Sequence, residues 1–264
     1  MRYAILGLVL CASQLAMGAA MAQAPATAPS AEKVLEKSLE HRFQLDLTVD
    51  QAALNKFLPP GWESQIATQG GGKGCNLRLI FIERSEIEGP DNKVKGKGHD
   101  VLAVLEAPVR PVGADPTARG NNGKMIVGGI SRDDAGGALL AAKRVAVTRT
   151  REIKDGAESV HEVWDLEAPG GEHLSLDVVY HPAPANIFSY PTRFLDPADP
   201  SKVTLVRTEE ITDITRNVTL APADRVVSFA FKAGGGKFAA LFEIPARVLS
   251  WDSQPVSVRS VVQP

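Results

Sequence analysis

Residues 173–181, HLSLDVVYH, alternate polar and apolar side chains over most of their length. Successive side chains of a β-strand point to opposite faces, so His173, Ser175 and Asp177 share one face while the leucines and Tyr180 share the other. This pattern predicts a strand with one face in an apolar core. Its polar face either lines a cavity or is the solvated side of an antiparallel sheet, and the sequence leaves both open.

The same kind of pattern recurs along the chain and decides the fold class. Runs rich in β-branched or alternating residues are separated by Gly, Pro, Asn and Asp. Nine further strands are predicted at residues 42–49, 76–83, 100–109, 124–130, 144–153, 159–168, 203–215, 225–231 and 255–262. Helical periodicity is confined to residues 48–58, 133–143 and 236–249. We therefore predict a mostly β protein, a β-rich α+β fold, built as an antiparallel barrel or sandwich with a few short helices.

The N-terminal segment predicts export. Arg2 precedes an apolar run, and Ala-Met-Ala then supplies small residues at the positions that a signal peptidase reads. We interpret residues 1–22 as a cleaved signal peptide, residues 23–37 as a flexible lead-in and residues 38–264 as one β domain. A membrane anchor and lipidation of the cysteine in this segment are the alternatives. Cleavage predicts a periplasmic or secreted protein with no membrane attachment.

Charge and cysteine content exclude several classes of protein. Lys and Arg total 29 against 31 Asp and Glu, and loss of residues 1–22 leaves a net charge of about −3. A nucleic-acid partner would need a basic face, so none is predicted. Cys75 alone remains after cleavage, which precludes an internal disulfide and favours a core residue over a nucleophile. Neither HExxH nor paired CxxC occurs, so we predict no metal and no cofactor.

Two adjacent cations interrupt the apolar stretch GGALLAAKRVAV, residues 136–147. Desolvation and the charge of Arg144 would lower the pKa of the Lys143 amine, and a neutral amine can attack a carbonyl carbon. Alternatively, both side chains are solvated at the start of a strand. Residue types alone leave both interpretations open.

Three segments together resemble the acetoacetate decarboxylase superfamily. DLTVDQAALNKFLPPGWES (46–64), followed by CNLRLIFIE (75–83), is similar to the family's short helix, LPPG-type turn and apolar strand. LLAAKRVAVTR (139–149) lies where the family has its lysine-containing turn. Residues 203–253, from VTLVRTEEITDITRNVTL to AALFEIPARVLSWDS, resemble its C-terminal strand, loop and last hairpin. The similarity spans most of residues 38–252.

This resemblance implies a double-layered antiparallel β-cone or barrel with a central cavity. It also implies that Lys143 is the Schiff-base lysine, with Arg144 in place of the family's second lysine. Activation of a lysine by a neighbouring cation is a property of acetoacetate decarboxylase itself. Carboxylates that we expect to assist this lysine are Asp133, Asp134, Glu86 and Glu88. The candidate substrate-binding residues are His173, Asp177, Trp164 and His99.

The expected function is that of an exported enzyme acting on a small carbonyl or keto-acid compound through a lysine Schiff base. Decarboxylase and aldolase or lyase chemistry both fit this expectation, and the partner is a small-molecule carbonyl ligand. A homo-oligomer is one of the states that this interpretation allows. The alternatives are a non-catalytic periplasmic binding protein with the same cavity, and a hydrolase using His173 or His181 with Asp177.

Overall fold

A computed structural model describes residues 33–115, 122–133, 136–217 and 224–263. These ranges belong to one compact unit. The predicted signal peptide and Asp134 lie outside them.

The described residues are organised almost entirely as β-strands. One short α-helix and one 3-10 turn, Gly236–Phe238, accompany the strands. In chain order the elements are β1 (Lys33–Thr48), α1 (Gln51–Asn55), β2 (Trp62–Ser64), β3 (Leu77–Glu88), β4 (Asp100–Pro111), β5 (Gly123–Ser131), β6 (Leu140–Ala141), β7 (Arg144–Lys154), β8 (Ala157–Glu167), β9 (His173–Tyr180), β10 (Asn186–Leu195), β11 (Val203–Asn217), β12 (Val226–Gly234) and β13 (Arg247–Gln263).

The strands form two sheets, of which the larger closes on itself. Its order is β2-β4-β3-β1-β13-β11-β10-β5-β6, and an additional pairing of β4 with β5 completes a ring. The β5–β10 and β5–β6 pairings are parallel, and the others are antiparallel. The second sheet, β12-β9-β8-β7, is antiparallel. The predicted β-rich, barrel-like class is therefore confirmed, with two parallel pairings added to the antiparallel plan.

Strand alternation sorts the side chains of the closed sheet into two environments. On β1, Phe43, Leu45 and Leu47 are fully buried in the core shared with the second sheet. The intervening residues Arg42 and Gln44 face the interior of the ring instead. Each large apolar side chain buried in this way contributes about 1.5–3 kcal/mol of stability. The same strand thus holds the two layers together and supplies polar groups to the space inside the ring.

A fully buried carboxylate lies in the core between the two sheets. Glu162 of β8 accepts hydrogen bonds from Trp164 Nε1 at 3.0 Å and from the Tyr180 hydroxyl at 2.9 Å. His41 Nε2 of β1 lies 3.2 Å from its Oε2 atom, and Arg149 Nε lies 3.6 Å from Oε1. Although burial opposes it, His41 and Arg149 hold the pKa of Glu162 below its ordinary value. This carboxylate therefore links the second sheet to β1 by polar contacts as well as by packing.

The helix prediction over residues 48–58 is confirmed in a shorter form. The helix α1 begins after Asp50, whose carboxylate accepts hydrogen bonds from the backbone N–H groups of Ala52 and Ala53. The chain turns at Pro59, which cannot continue the helix.

The other two helix predictions are wrong. Over residues 133–143, the described part contains turns, and Leu140–Ala141 pair with β5 as a strand. Over residues 236–249, only a single 3-10 turn forms before β13 begins. The preceding Gly235 has a φ of 71°, a left-handed conformation that no α-helix contains. Tertiary pairing and glycine conformation therefore override the apolar spacing in both segments.

The strand β10 was not predicted because Pro191 interrupts its sequence. It pairs with β11 along its whole length but with β5 at one position, Phe194 opposite Lys124. Most of its other edge makes no ladder with β5, so a residue without an N–H group is tolerated there.

Candidate active site

The inner face of the closed sheet lines a partly open cavity of about 290 Å³. Burying a charged side chain costs free energy unless it is paired, so a concentration of charges inside the fold indicates a binding or catalytic site. Five cations and three carboxylates line it: Arg42, Arg78, Arg84, Lys124, Arg259, Glu36, Glu40 and Glu106. Isoleucine, leucine and valine side chains form much of the remaining wall.

Lys124 enters this cavity at the start of β5. Its backbone lies opposite Pro108 of β4 and Phe194 of β10, where the ring closes. The amine nitrogen is 2.6 Å from Oε1 of Glu106, and the side chain keeps 27% of its surface exposed, bordering the cavity. Burial, together with the charge of Arg78, lowers the pKa of this amine against the opposing effect of Glu106. The geometry combines a nucleophile with a carboxylate that can exchange its proton.

The carboxylate of Glu106 is held in its charged form. Burial raises the pKa of Glu106, but the positive charges of Lys124 and Arg78 lower it by more, so the net pKa is below its ordinary value. Arg78 NH1 lies 3.9 Å from Glu106 Oε1, and Arg78 Nε donates to Asp46 Oδ1 at 2.7 Å. Positive and negative side chains therefore alternate at this end, in the order Lys124, Glu106, Arg78 and Asp46.

A second carboxyl group behind this end titrates near neutral pH. Asp252 of β13 accepts a hydrogen bond from Gln44 Nε2 at 3.1 Å, and Gln44 itself lines the cavity. Burial, with the negative charge of Asp46 as a further cause, raises the pKa of Asp252 to about 7. This group can therefore hold or release a proton under physiological conditions.

The opposite end of the cavity is rich in arginine. Glu36 is paired with Arg84 and, at 3.0 Å, with Arg259. Glu40 accepts a hydrogen bond from Arg42 Nε at 2.6 Å. Three guanidinium groups therefore share two carboxylates, which suits this end to an anionic ligand group.

The predicted Lys143 and Arg144 lie elsewhere, on the outer face of the second sheet. The Lys143 side chain is 62% exposed, and its amine lies 3.0 Å from Glu167 Oε1. Arg144 pairs with Asp165 and Glu167, also in solvent. This placement agrees with the solvated alternative for the two cations.

Several other predicted residues gather along an open groove of about 520 Å³ on that outer face. Arg144, His173 and Asp177 border it, and the fully buried Trp164 borders it from the core. Asp177 Oδ1 lies 2.8 Å from His161 Nε2. The polar face of residues 173–181 is thus solvated.

The remaining predicted residues lie near the β3–β4 connection. Asp133 pairs with Lys97 and lies next to the chain leading to β4, and His99 Nδ1 is 2.9 Å from the Lys97 carbonyl oxygen. Glu86 is exposed at a position with a φ of 52°, and Glu88 is half-buried. None of the nine predicted site residues within the described ranges lines the cavity.

The residues that do line it were visible in the sequence as single charges inside apolar strands. Arg78 interrupts NLRLIFIE, and Glu106 interrupts DVLAVLEAPV. Lys124 directly precedes the apolar run MIVGG. A charge at an inward position of a strand that is otherwise buried indicates a partner inside the fold, and this signal could have found the cavity.

Within the described ranges, no three His, Cys, Asp or Glu side chains are grouped as metal ligands. No helix in the same ranges is both long enough and apolar enough to cross a membrane.

Solved structures share this fold at low sequence identity. The enduracididine biosynthesis enzyme MppR complexed with pyruvate matches with a TM-score of 0.50 and 13% identity, covering 87% of this chain and 88% of that chain. MppR complexed with the condensation product of pyruvate and imidazole 4-carboxaldehyde matches with a TM-score of 0.50 and 12% identity, covering 87% of each chain. An acetoacetate decarboxylase-like enzyme from Sphingomonas wittichii RW1 matches with a TM-score of 0.46 and 12% identity, covering 87% of this chain and 91% of that chain.

The resemblance stated from the sequence is thereby confirmed at the level of the fold alone, which this chain shares with MppR. The sequence matches no protein-family model and no curated protein.

Proposed function

We propose that this protein is an enzyme that acts on a small carbonyl or keto-acid compound through a Schiff base on Lys124. One observation carries the proposal. Among the residues that the structure describes, Lys124 is the only lysine lining the cavity, and its amine lies 2.6 Å from the Glu106 carboxylate. A nucleophilic amine needs both a lowered pKa and a group to receive its proton, and Lys124 has both.

The role first assigned to Lys143 moves to Lys124 in this proposal. Lys143 is largely exposed and ion-paired with Glu167, so water competes for any ligand there and solvent screens its neighbours. Lys124 lies largely buried among charged groups of both signs, where electrostatic effects on a reacting group are larger than at an exposed position.

The proposed reaction begins when Glu106 takes a proton from the Lys124 ammonium group. The neutral amine attacks the carbonyl carbon, Glu106 gives that proton to the oxygen, and water leaves to form a protonated imine. The positive nitrogen then withdraws the electron pair of the bond between the α- and β-carbons. A β-carboxylate leaves as carbon dioxide, whereas a β-hydroxyl group gives its proton to solvent and its carbon leaves as an aldehyde. A solvent proton adds to the enamine carbon, and water hydrolyses the imine to regenerate Lys124.

The fold comparison supports the substrate class. MppR, which shares the fold, was solved with pyruvate, a 2-oxo acid. For the present chain we propose the same general class because its cavity carries cations for a carboxylate and an amine for a carbonyl. We further propose that the protein is exported after cleavage of residues 1–22 and acts in the periplasm or outside the cell.

A non-catalytic binding protein is the second candidate. The close pairing of Lys124 with Glu106 favours it, because an amine held as ammonium can bind an anion without forming a covalent bond. The two candidates differ in whether a covalent adduct with Lys124 can be trapped.

Borohydride reduction separates the two candidates. The protein is incubated with pyruvate or acetoacetate, reduced, and analysed by intact mass and peptide mapping. An adduct of substrate mass on the Lys124 peptide, absent from a Lys124→Met variant, is expected. Ligand binding by calorimetry without any adduct would favour the binding protein.

A further inference from the structure

One wall of the cavity is aliphatic along its length. On β3, Ile80 and Ile82 separate the inward-facing Arg78 from Arg84, and these arginine Cα atoms lie roughly 20 Å apart at the usual strand rise. On β4, Val104 and Leu102 lie opposite the two isoleucines in register. Ile126 and Leu139 extend the same surface. An aliphatic surface therefore connects two charged ends of the cavity.

The two ends differ in the charged groups that they hold. At the Lys124 end, the cations Lys124 and Arg78 are matched by Glu106 and Asp46. At the other end, the three arginines face the carboxylates of Glu36 and Glu40.

Three further charged side chains surround the arginine end of the cavity. Lys95 adds a positive charge, with its amine 2.5 Å from Glu36 Oε2. Glu210 adds a negative charge behind the cavity wall, where it accepts a hydrogen bond from Tyr190 at 2.9 Å. Asp100, which is buried and lies opposite Arg84 in the β3–β4 ladder, adds a further negative charge, so the charges at this end balance. Each guanidinium group has five N–H donors, so the three arginines together offer more donors than the neighbouring carboxylates can accept, and the Lys124 end has one guanidinium group.

We propose that the substrate is an oxo acid in which a medium-length aliphatic chain separates the carboxylate from the carbonyl group. The carboxylate binds among Arg42, Arg84 and Arg259, the chain lies on the aliphatic wall, and the carbonyl carbon meets Lys124. This inference rests on the proposed function for the role of Lys124.

The wall explains why a short acid such as pyruvate would use the cavity poorly. Each buried methylene contributes about 0.8 kcal/mol, or roughly a fourfold gain in affinity. A two- or three-carbon ligand leaves most of the aliphatic surface without a partner. A remote carboxylate also excludes loss of carbon dioxide next to the imine. Carbon–carbon cleavage in this class therefore requires a hydroxyl group on the carbon β to the carbonyl, and the reaction is of the aldolase type.

Saturated carboxylates test the inference independently of Schiff-base chemistry, because they carry no carbonyl group. Binding of butanoate, hexanoate, octanoate and decanoate to the wild-type protein is measured by calorimetry. We expect affinity to rise about fourfold per methylene until the cavity is filled, and 1-hexanol to bind at least about tenfold more weakly than hexanoate. Affinity independent of chain length, or equal binding of the alcohol, would overturn the proposal.

A filled wall provides the second test. Val104→Phe adds volume inside the cavity, and Val256→Phe, at a 41% exposed position of β13, is the matched control. Val104→Phe is expected to weaken octanoate at least about tenfold and butanoate less than threefold, with no change in the control. If circular dichroism shows that Val104→Phe is unfolded, Leu139→Phe takes its place. Equal loss for both acids would contradict the assigned path of the chain.

The outcomes also separate this inference from the proposed function. Chain-length dependence without a borohydride adduct from an oxo acid of the preferred chain length would keep the ligand class and reject the Schiff base. An adduct on Lys124 without chain-length dependence would keep the Schiff base and reject this substrate class.

Discussion

The molecule contains two lysine–carboxylate pairs of similar composition in opposite environments. Lys124 faces Glu106 inside the closed sheet, and Lys143 faces Glu167 on the outer surface of the second sheet. Their nitrogen–oxygen distances, 2.6 and 3.0 Å, are close. The Lys124 amine has a lowered pKa because it is buried, and solvent surrounds the second pair. Burial, rather than the contact itself, distinguishes a reactive amine from an ordinary surface charge.

The largest expected difference between the two pairs is in covalent chemistry. Lys124→Met should abolish the borohydride adduct and reduce turnover at least about a hundredfold, because no other described cavity residue supplies an amine. Lys143→Met, the matched control, should form the adduct and retain more than half of the wild-type turnover. Peptide mapping and steady-state kinetics check both variants, and loss of the adduct in Lys143→Met alone would reverse the assignment.

Buried and exposed carboxylates should differ next in their contribution to stability. Glu162→Ala leaves the buried Trp164 and Tyr180 donors without their acceptor, so we expect a loss of about 3–5 kcal/mol in the free energy of unfolding. Asp165→Ala, on the same strand but facing solvent, should change it too little to resolve. Urea denaturation measures both, and equal losses would contradict the role given to burial.

The buried Asp252 should make stability depend on pH. Its pKa is about 7 in the folded protein against 3.8 as the ordinary value, so the native state binds the proton more tightly. Its stabilising contribution is therefore full below about pH 4 and is lost as pH rises through 7, on the order of 4 kcal/mol in total. Asp252→Asn should remove this loss.

Carboxylates with lowered pKa values, such as Glu36 and Glu106, have the opposite dependence. They are common to both proteins and cancel in the comparison of wild type with Asp252→Asn. The free energy of unfolding is measured between pH 4 and 8 for both proteins. If the difference between them does not change with pH, the titration assigned to Asp252 is refuted.

A smaller loss of stability is expected where the loop containing Gly72 packs against Asp46, at the Lys124 end of the cavity. A Cβ atom at Gly72 would lie 2.5 Å from Asp46 Oδ2, so Gly72→Ala should destabilise by about 1–3 kcal/mol. At Gly136 an added methyl group would meet open space, so Gly136→Ala should leave the unfolding midpoint unchanged. Similar midpoints for both variants would show that the loop moves away without cost.

The fold class could be predicted because strand alternation is local. The runs around Leu45, Phe81 and Leu105 place apolar side chains at every second position, and these positions form the inter-sheet core. Sheet closure and the parallel pairing of β5 with β10 depend on residues far apart in sequence, so alternation could not predict them.

The location of the site was less predictable for the same reason. Lys143 and Arg144 attract notice because they are adjacent in an apolar stretch. Adjacency in the sequence does not bury them, and both side chains pair with Glu167 on the exposed surface. Lys124, Glu106 and Arg78 lie on three consecutive strands, and the registers of the β3–β4 and β4–β5 pairings bring them together. Alternation within one strand does not fix those registers. The useful local sign was a single charge within an otherwise apolar strand.

Competitive acetylation of all lysines with limiting acetic anhydride, over a range of pH, measures directly whether the amine of Lys124 is activated. Mass spectrometry follows each lysine separately, with its reactivity normalised to its own plateau. We expect Lys124 to become reactive at a lower pH than the exposed Lys143, because burial lowers the pKa of the Lys124 amine. Onset for Lys124 at the same pH as Lys143, or at a higher pH, would contradict it.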